Sequence, residues 1–301
     1  MKRTLSLLLA LLPVLGLAEL ALHQYFATRA PGFEAYAALA PELMKLKRSG
    51  MPLVVAPAWA EPLVRQAAPE AFPIAELTRP DDTAFSRFLE VSLLGKSAPE
   101  LADLPVLETR QHGAFTLRVH DNPRAMPVLF DFVTAVGSGE VEVFNDVNGQ
   151  RTQCKFVENA RPSTGGLHGP VARPRSRFEC AGGRVVAVTL IEDQDYRAHR
   201  CILVEPIDSG EIVMRFNSAP DSARLVGFAG YSAFRARGAL GSSVELIVGE
   251  AGRELGGHRA AAADGWSRFE LKRTAPFGTL DVTVRRTSSA PEDFCFVLEA
   301  R

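Results

Sequence analysis

Glu192-Asp193-Gln194-Asp195 places three carboxylates within four residues, a density of oxygen ligands that can do two kinds of chemistry. Calcium takes about six to eight oxygens and is held by loops of this kind. Glu192, Asp193 and Asp195, joined by Asp293 and its neighbour Glu292 from near the chain end, are therefore the candidate ligands of a structural calcium. Carboxylates set about 5–9.5 Å apart across a cleft would instead do the acid and base work of glycoside hydrolysis. The spacing is not that of an EF-hand, and a solvated acidic loop also accounts for it.

Other reactive side chains are dispersed. A nucleophilic serine needs a strained turn and a base within reach, and no G-x-S-x-G occurs; Asp208-Ser209-Gly210 spells a turn between strands. Histidines 112, 120, 168, 199 and 258 form neither H-x-H nor H-E-x-x-H, so a catalytic zinc is not expected. His120-Asp121 is either an acid–base pair or a strand end before the Asn122-Pro123 turn. His168 lies in a Gly-rich loop that suits a ligand or a tether. Sugar recognition asks for an exposed aromatic platform with polar groups beside it. Tyr231 and Phe234, flanked by Arg235 and Arg237, are the candidates, whereas Trp266 and Trp59 are expected in the core. No catalytic residue is assigned.

The four cysteines are Cys154, Cys180, Cys201 and Cys295, with no paired C-x-x-C for zinc. Four cysteines allow three pairings, and Cys154–Cys180 with Cys201–Cys295 is favoured. The first pair sits in two short strand-like runs across a Gly/Pro loop. The second sits in runs at opposite ends of the sandwich. Closing these loops would stabilise by about 3.5 and about 4.7 kcal/mol.

Disulfides need an oxidising compartment, and the first residues supply a route. Lys2 and Arg3 precede an apolar run from Leu5 to Ala18, broken by Glu19 and His23. Gly16-Leu17-Ala18 fits leader cleavage after Ala18, while Leu5 to Phe26, ending in Tyr25 and Phe26, fits a retained anchor. Both readings keep Lys2 and Arg3 on the cytoplasmic side and place the body outside, anchored at the membrane or soluble in the periplasm.

Composition excludes other partners. The net charge is −1, with 34 basic and 35 acidic side chains, which offers no field to nucleic acid. The 47% hydrophobic share fits a packed body rather than disorder.

These residues need elements to position them. Phe33, Tyr36, Leu39 and Leu43 predict a helix that Gly50 stops. Met51 to Pro57 predicts a strand, Glu61 to Ala68 a helix, Phe72-Pro73-Ile74 a strand, and Phe88 to Leu94 another, with Asp81 or Asp82 capping the turn between. Val106 to Thr109 and Phe115 to His120 make a hairpin, and Met126 to Val136 a helix closed by Gly137. From residue 139 short strands follow one another: a hairpin at Asn148-Gly149, then Val185 to Ile191, Cys201 to Val204, Glu211 to Phe216, Ala223 to Phe228, Ser243 to Val248, Trp266 to Lys272, Thr279 to Val284 and Phe294 to Leu298. That rhythm means an antiparallel sandwich or jelly roll. The expected class is α+β: an N-terminal membrane segment (1–27), a helical connector with a small α/β region (28–136), and a β-sandwich (137–301).

Gly210 to Phe216, Asp264-Gly265-Trp266-Ser267-Arg268-Phe269 and Phe294-Cys295-Phe296 together resemble the galactose-binding-type jelly roll of carbohydrate-binding modules, over about a third of the chain. Val54-Val55-Ala56-Pro57-Ala58-Trp59 and Phe85 to Ser92 resemble the extracytoplasmic soluble domains of membrane glycosyltransferases, whose multi-span catalytic part has no counterpart here. The first resemblance implies a non-catalytic envelope protein that binds a glycan or a glycan-handling partner. An enzyme of envelope polysaccharide, or a structural partner of a membrane complex, stands as the alternative.

Overall fold

The structure, a computed structural model, describes residues 13–22, 24, 31–163, 173–217, 220, 222, 224–233, 236, 243–273, 278–287 and 294–301. Much of the Leu5–Phe26 segment, His168, Phe234, Arg235, Arg237, Glu292 and Asp293 lie outside those residues. Residues 13–22 are helical and exposed. Among the described residues, no helix is long and apolar enough to cross a membrane.

The chain divides into two units, one of Met1–Pro73 with Arg87–Pro123 and one of Ile74–Ser86 with Arg124–Arg301. In the first unit the helix Phe33–Leu46 buries Tyr36, Leu39, Leu43 and Leu46, a stripe at helical spacing. Phe33 falls off the stripe and is 47% exposed. The helix ends at Leu46, before Gly50, which takes a positive φ of 72°. Strands β1 (Leu53–Ala56), β2 (Arg87–Leu93), β3 (Val106–His112) and β4 (Phe115–Asp121) form a sheet in the order β1-β2-β4-β3. Only β1 and β2 run parallel. Strand alternation divides β2: Leu89, Val91 and Leu93 join the helix in one core, which leaves Glu90 and Ser92 on the opposite face.

Two expectations fail by local chemistry. Phe72-Pro73-Ile74 is no strand, because Phe72 closes a one-turn helix and a short helix, Ile74–Leu77, begins at once. The helix expected from Met126 to Val136 starts only at Phe132 and runs to Ser138. Asp131 caps it, accepting from the Val133 and Thr134 amides at 2.9 and 3.3 Å, and Gly139 supplies the left-handed stop. Phe130–Asp131 instead forms the short strand β5.

The second unit is an antiparallel sandwich. Its remaining strands are β6 (Glu142–Val147), β7 (Gln150–Gln153), β8 (Lys155–Val157), β9 (Arg177–Glu179), β10 (Val185–Glu192), β11 (Ala198–Val204), β12 (Glu211–Phe216), β13 (Arg224–Tyr231), β14 (Ser243–Glu250), β15 (Arg253–Ala261), β16 (Ser267–Lys272), β17 (Leu280–Arg286) and β18 (Phe294–Ala300). One sheet runs β16-β13-β18-β11-β10-β9-β8 with β5 added to β18, and the other runs β15-β14-β17-β12-β6-β7. Residues of both sheets and of the helix Phe132–Ser138 share one core. The β6–β7 turn is Asn148-Gly149, with φ of 54° and 80°, as a two-residue hairpin needs.

Both expected disulfides are present, Cys154–Cys180 and Cys201–Cys295. The second corrects one detail. Its strands, β11 and β18, are direct neighbours in one sheet rather than opposite ends of the sandwich. Cys295 faces Leu203, so the bond crosses the ladder diagonally over a Cα separation of 5.8 Å.

Candidate functional site

The acidic run lies at the β10–β11 hairpin, where Ile191 pairs with His199 and Glu192 with Ala198. Its carboxylates do not act together. Asp193 is buried, at 5% exposure, and turns inward, while Glu192 and Asp195 stay exposed. Asp193 Oδ1 accepts from the backbone N–H of Asp195 and of Arg197, both at 2.9 Å. Its Oδ2 accepts from His199 Nε2 at 2.7 Å. Two backbone bonds close the loop, Asp193 N–H to Arg197 O and Tyr196 N–H to Asp193 O, each at 3.0 Å. The Gln194 amide ties it to Ala262 O at 3.0 Å.

The anchor beneath is aromatic. His199 lies on the Trp266 indole with ring centroids 4.3 Å apart and planes 13° from parallel. The indole can come this deep because residue 230 is glycine: a Cβ there would meet Trp266 Cε3 at 2.7 Å. Burial pushes the His199 pKa down and outweighs the attraction of Asp193. Burial pushes Asp193 up, but the bonds from His199 and the Arg197 and Asp195 amides outweigh that and leave it lowered. The pair is therefore a neutral imidazole donating to a carboxylate. His199 Nδ1 is buried and has no partner among the described residues. A general base needs an open nitrogen near a substrate, and this ring has none.

What the clamp holds outward is Tyr196. It is 69% exposed, on a backbone with φ of 61°, a region that a bulky residue seldom enters. Glu192, Asp195 and Arg197 are exposed around it. No motif at the sequence level marks this tyrosine; its position becomes visible once Asp193 is seen facing in.

Of the residues expected to bind sugar, Phe234, Arg235 and Arg237 lie outside the described residues, and Tyr231 falls elsewhere. Tyr231 is 1% exposed, since β13 continues past Phe228 to Tyr231 and carries the ring against Phe294, 5.7 Å away. It is a core residue and no platform, and burial pushes its pKa up. Trp59, expected in the core, is 52% exposed. For calcium, Asp193 has both oxygens engaged, and no group of three or more His, Cys, Asp or Glu that could hold a metal occurs among the described residues.

His120 lies one residue before the end of β4 and pairs with Glu90, not with Asp121. Its Nε2 lies 2.9 Å from Glu90 Oε2, which also accepts from Arg118 at 3.1 Å, and Glu90 Oε1 accepts from the Ala98 amide at 2.8 Å. Burial pushes Glu90 up, and these three bonds outweigh it and hold it lowered. Glu90 is fully buried, so this cluster pins the Ala98 segment to the sheet. In the second unit, Ser267 Oγ lies 2.8 Å from His258 Nε2 and 3.3 Å from Ala229 O, a brace between β15 and its neighbours.

No protein-family model matches the chain, and no curated protein matches it. Solved structures that it resembles include carbohydrate-binding modules, the kind anticipated for the C-terminal strands. CBM51-2 and the INT domains of Clostridium perfringens ZmpB, in complex with GlcNAc, are 10% identical with a TM-score of 0.30; the match covers 53% of this chain and 37% of that one. TmCBM61 in complex with beta-1,4-galactotriose is 11% identical with a TM-score of 0.28, over 57% of this chain and 99% of that one. A family 29 module is 10% identical with a TM-score of 0.23, over 50% and 87%. Likenesses this distant carry no argument about what this chain binds.

Proposed function

We propose that this is a non-catalytic envelope protein that binds a glycan through the β10–β11 hairpin, with Tyr196 as the platform. The observation that carries the reading is an exposed aromatic ring on a loop tip whose backbone is already fixed. Leaving a phenol ring in water forgoes burial, and holding a tyrosine at positive φ costs about 1–3 kcal/mol. Asp193 absorbs that cost by accepting three hydrogen bonds, so the tip loses little freedom when a ligand arrives. A tyrosine face packs on the C–H side of a sugar ring, and exposed Glu192, Asp195 and Arg197 can bond its hydroxyls.

In the enzymatic alternative Asp193 is spent on its own loop, which leaves Glu192 and Asp195 as its carboxylates. Export rests on Lys2, Arg3 and the apolar run, and the two disulfides support an oxidising compartment. The body would then lie outside the cytoplasmic membrane, anchored or soluble there according to the fate of the leader. Glycan-array binding of the purified chain tests the reading: Tyr196→Ala should abolish binding with the fold intact, and undiminished binding by that variant would overturn it.

A further inference from the structure

Away from the hairpin, the sandwich unit holds a cleft of about 120 Å³ lined by Thr78, Arg79, Asp131, Thr134, Arg200 and Glu299, among others. Its formal charges balance, two guanidinium groups against two carboxylates. Its hydrogen-bonding capacity does not. Glu299 is fully buried and accepts from Arg79 and from Arg301, whose Nε donates at 2.8 Å. Asp131 accepts from the Val133 and Thr134 amides and from Thr134 Oγ1 at 3.1 Å, with Arg79 a weaker donor at 3.4 Å. Thr78 Oγ1 is committed to Ile74 O at 2.7 Å. Both acids are thus saturated by their own neighbours.

Arg200 is the exception. It is half-buried on β11, its guanidinium 3.7 Å from where a Cβ at Gly137 would stand. Its side chain makes no hydrogen bond or ion pair among the described residues, and Arg200 lines the cleft. A guanidinium carries five donors in a planar fork, and those of Arg200 are left to solvent or to a ligand. The matching acceptor is a planar or tetrahedral oxyanion bound bidentately. The cleft is open on one side and has room for a small charged group.

We propose that this cleft is a binding site for a small oxyanion, a carboxylate or sulfate group, with Arg200 as its principal ligand and the remaining donors of Arg79 beside it. The site stands independently of the Tyr196 reading.

Calorimetric titration of the full chain with sodium sulfate and with sodium glucuronate, at ionic strength held constant with sodium chloride, tests it. Wild type should bind one equivalent of at least one anion and none of neutral glucose. Arg200→Gln should weaken binding at least about tenfold, a loss in the range of a charge-assisted pair. Arg200→Lys, which keeps the charge and loses the fork, should fall between and also decides the matter if the Gln variant does not fold. Tyr196→Ala should bind the anion as wild type does. Binding of neither sulfate nor glucuronate to wild type, or equal affinity in folded Arg200 variants, would overturn the proposal. Binding of sulfate alone or glucuronate alone assigns the tetrahedral or the planar group.

Discussion

His199 lies parallel to Trp266 at 4.3 Å and donates through Nε2 to Asp193, so one imidazole joins an aromatic stack in the sandwich to the tip of the β10–β11 hairpin. The stack fixes the ring, the ring fixes the carboxylate, and the carboxylate fixes the backbone of Asp195 and Arg197 around Tyr196. Five predictions follow from this chain of contacts and from the buried groups elsewhere.

The exposed ring of Tyr196 should carry affinity and little stability. Tyr196→Ala is expected to lose glycan binding with a melting temperature within a few degrees of wild type. Tyr196→Phe should retain most of the affinity, because the platform is the ring face. Array and calorimetric measurements on both variants check this, and a weaker Phe than Ala variant would rule it out.

Asp193 should act on binding without touching the ligand. Asp193→Ala strands the His199 Nε2–H and frees two amides, which should cost about 1–3 kcal/mol in urea unfolding. Affinity should drop as well, because the loop must then be ordered on binding. A variant with lowered stability and unchanged affinity would separate the clamp from the site.

Stability should depend on pH through His199 and His258, both held below the ordinary 6.5 by burial. The unfolded chain takes up these protons first as the pH falls. The contribution is therefore complete above about pH 6.5 and is lost as the pH drops through it towards the folded values. Urea midpoints from pH 8 to pH 5 should show the decline, and His199→Gln should flatten part of it. A midpoint that rises on acidification would contradict the assignment of a neutral ring.

The two disulfides should differ in weight. They span 26 and 94 residues, and loop closure gives about 3.5 and about 4.7 kcal/mol respectively. Replacing Cys201 and Cys295 with alanine should thus destabilise more than replacing Cys154 and Cys180. Under native conditions, reductant should reach Cys154–Cys180 first, since Cys201 and Cys295 are completely buried. Thiol labelling over time, followed by mass spectrometry, reads the order.

Glu90 should be the most sensitive polar position in the first unit. Glu90→Ala leaves Arg118 and His120 facing a void where a carboxylate stood, an uncompensated change worth about 3–5 kcal/mol. Glu90→Gln keeps the shape and an acceptor for Ala98, and should cost less. Chemical unfolding of both variants tests the order, which an equal loss in the two would refute.

Local patterns were legible wherever a short stretch sets its own conformation. Asn148-Gly149 reads as a hairpin because both residues tolerate positive φ, and Glu211–Phe216 reads as a strand from its apolar run. The strand β15, Arg253–Ala261, was not legible, because Gly256 and Gly257 look like a turn until the pairing with β14 supplies their hydrogen bonds. Tyr231 was misplaced for a related reason: three more residues of β13 pairing carry it from an exposed connection into the core.

From its own residues the chain determined an α+β class, an antiparallel sandwich late in the sequence and four cysteines joined as two cross-links, because alternation, turn residues and cysteine count act over short or unambiguous distances. Tertiary structure alone decided which carboxylate of the acidic run faces inward, that Glu90 rather than Asp121 meets His120, and that Arg200 lines a cleft with no side-chain partner among the described residues. Those outcomes depend on which strands become neighbours and on what each side chain then finds within about 3 Å, and residues far apart in sequence supply those partners.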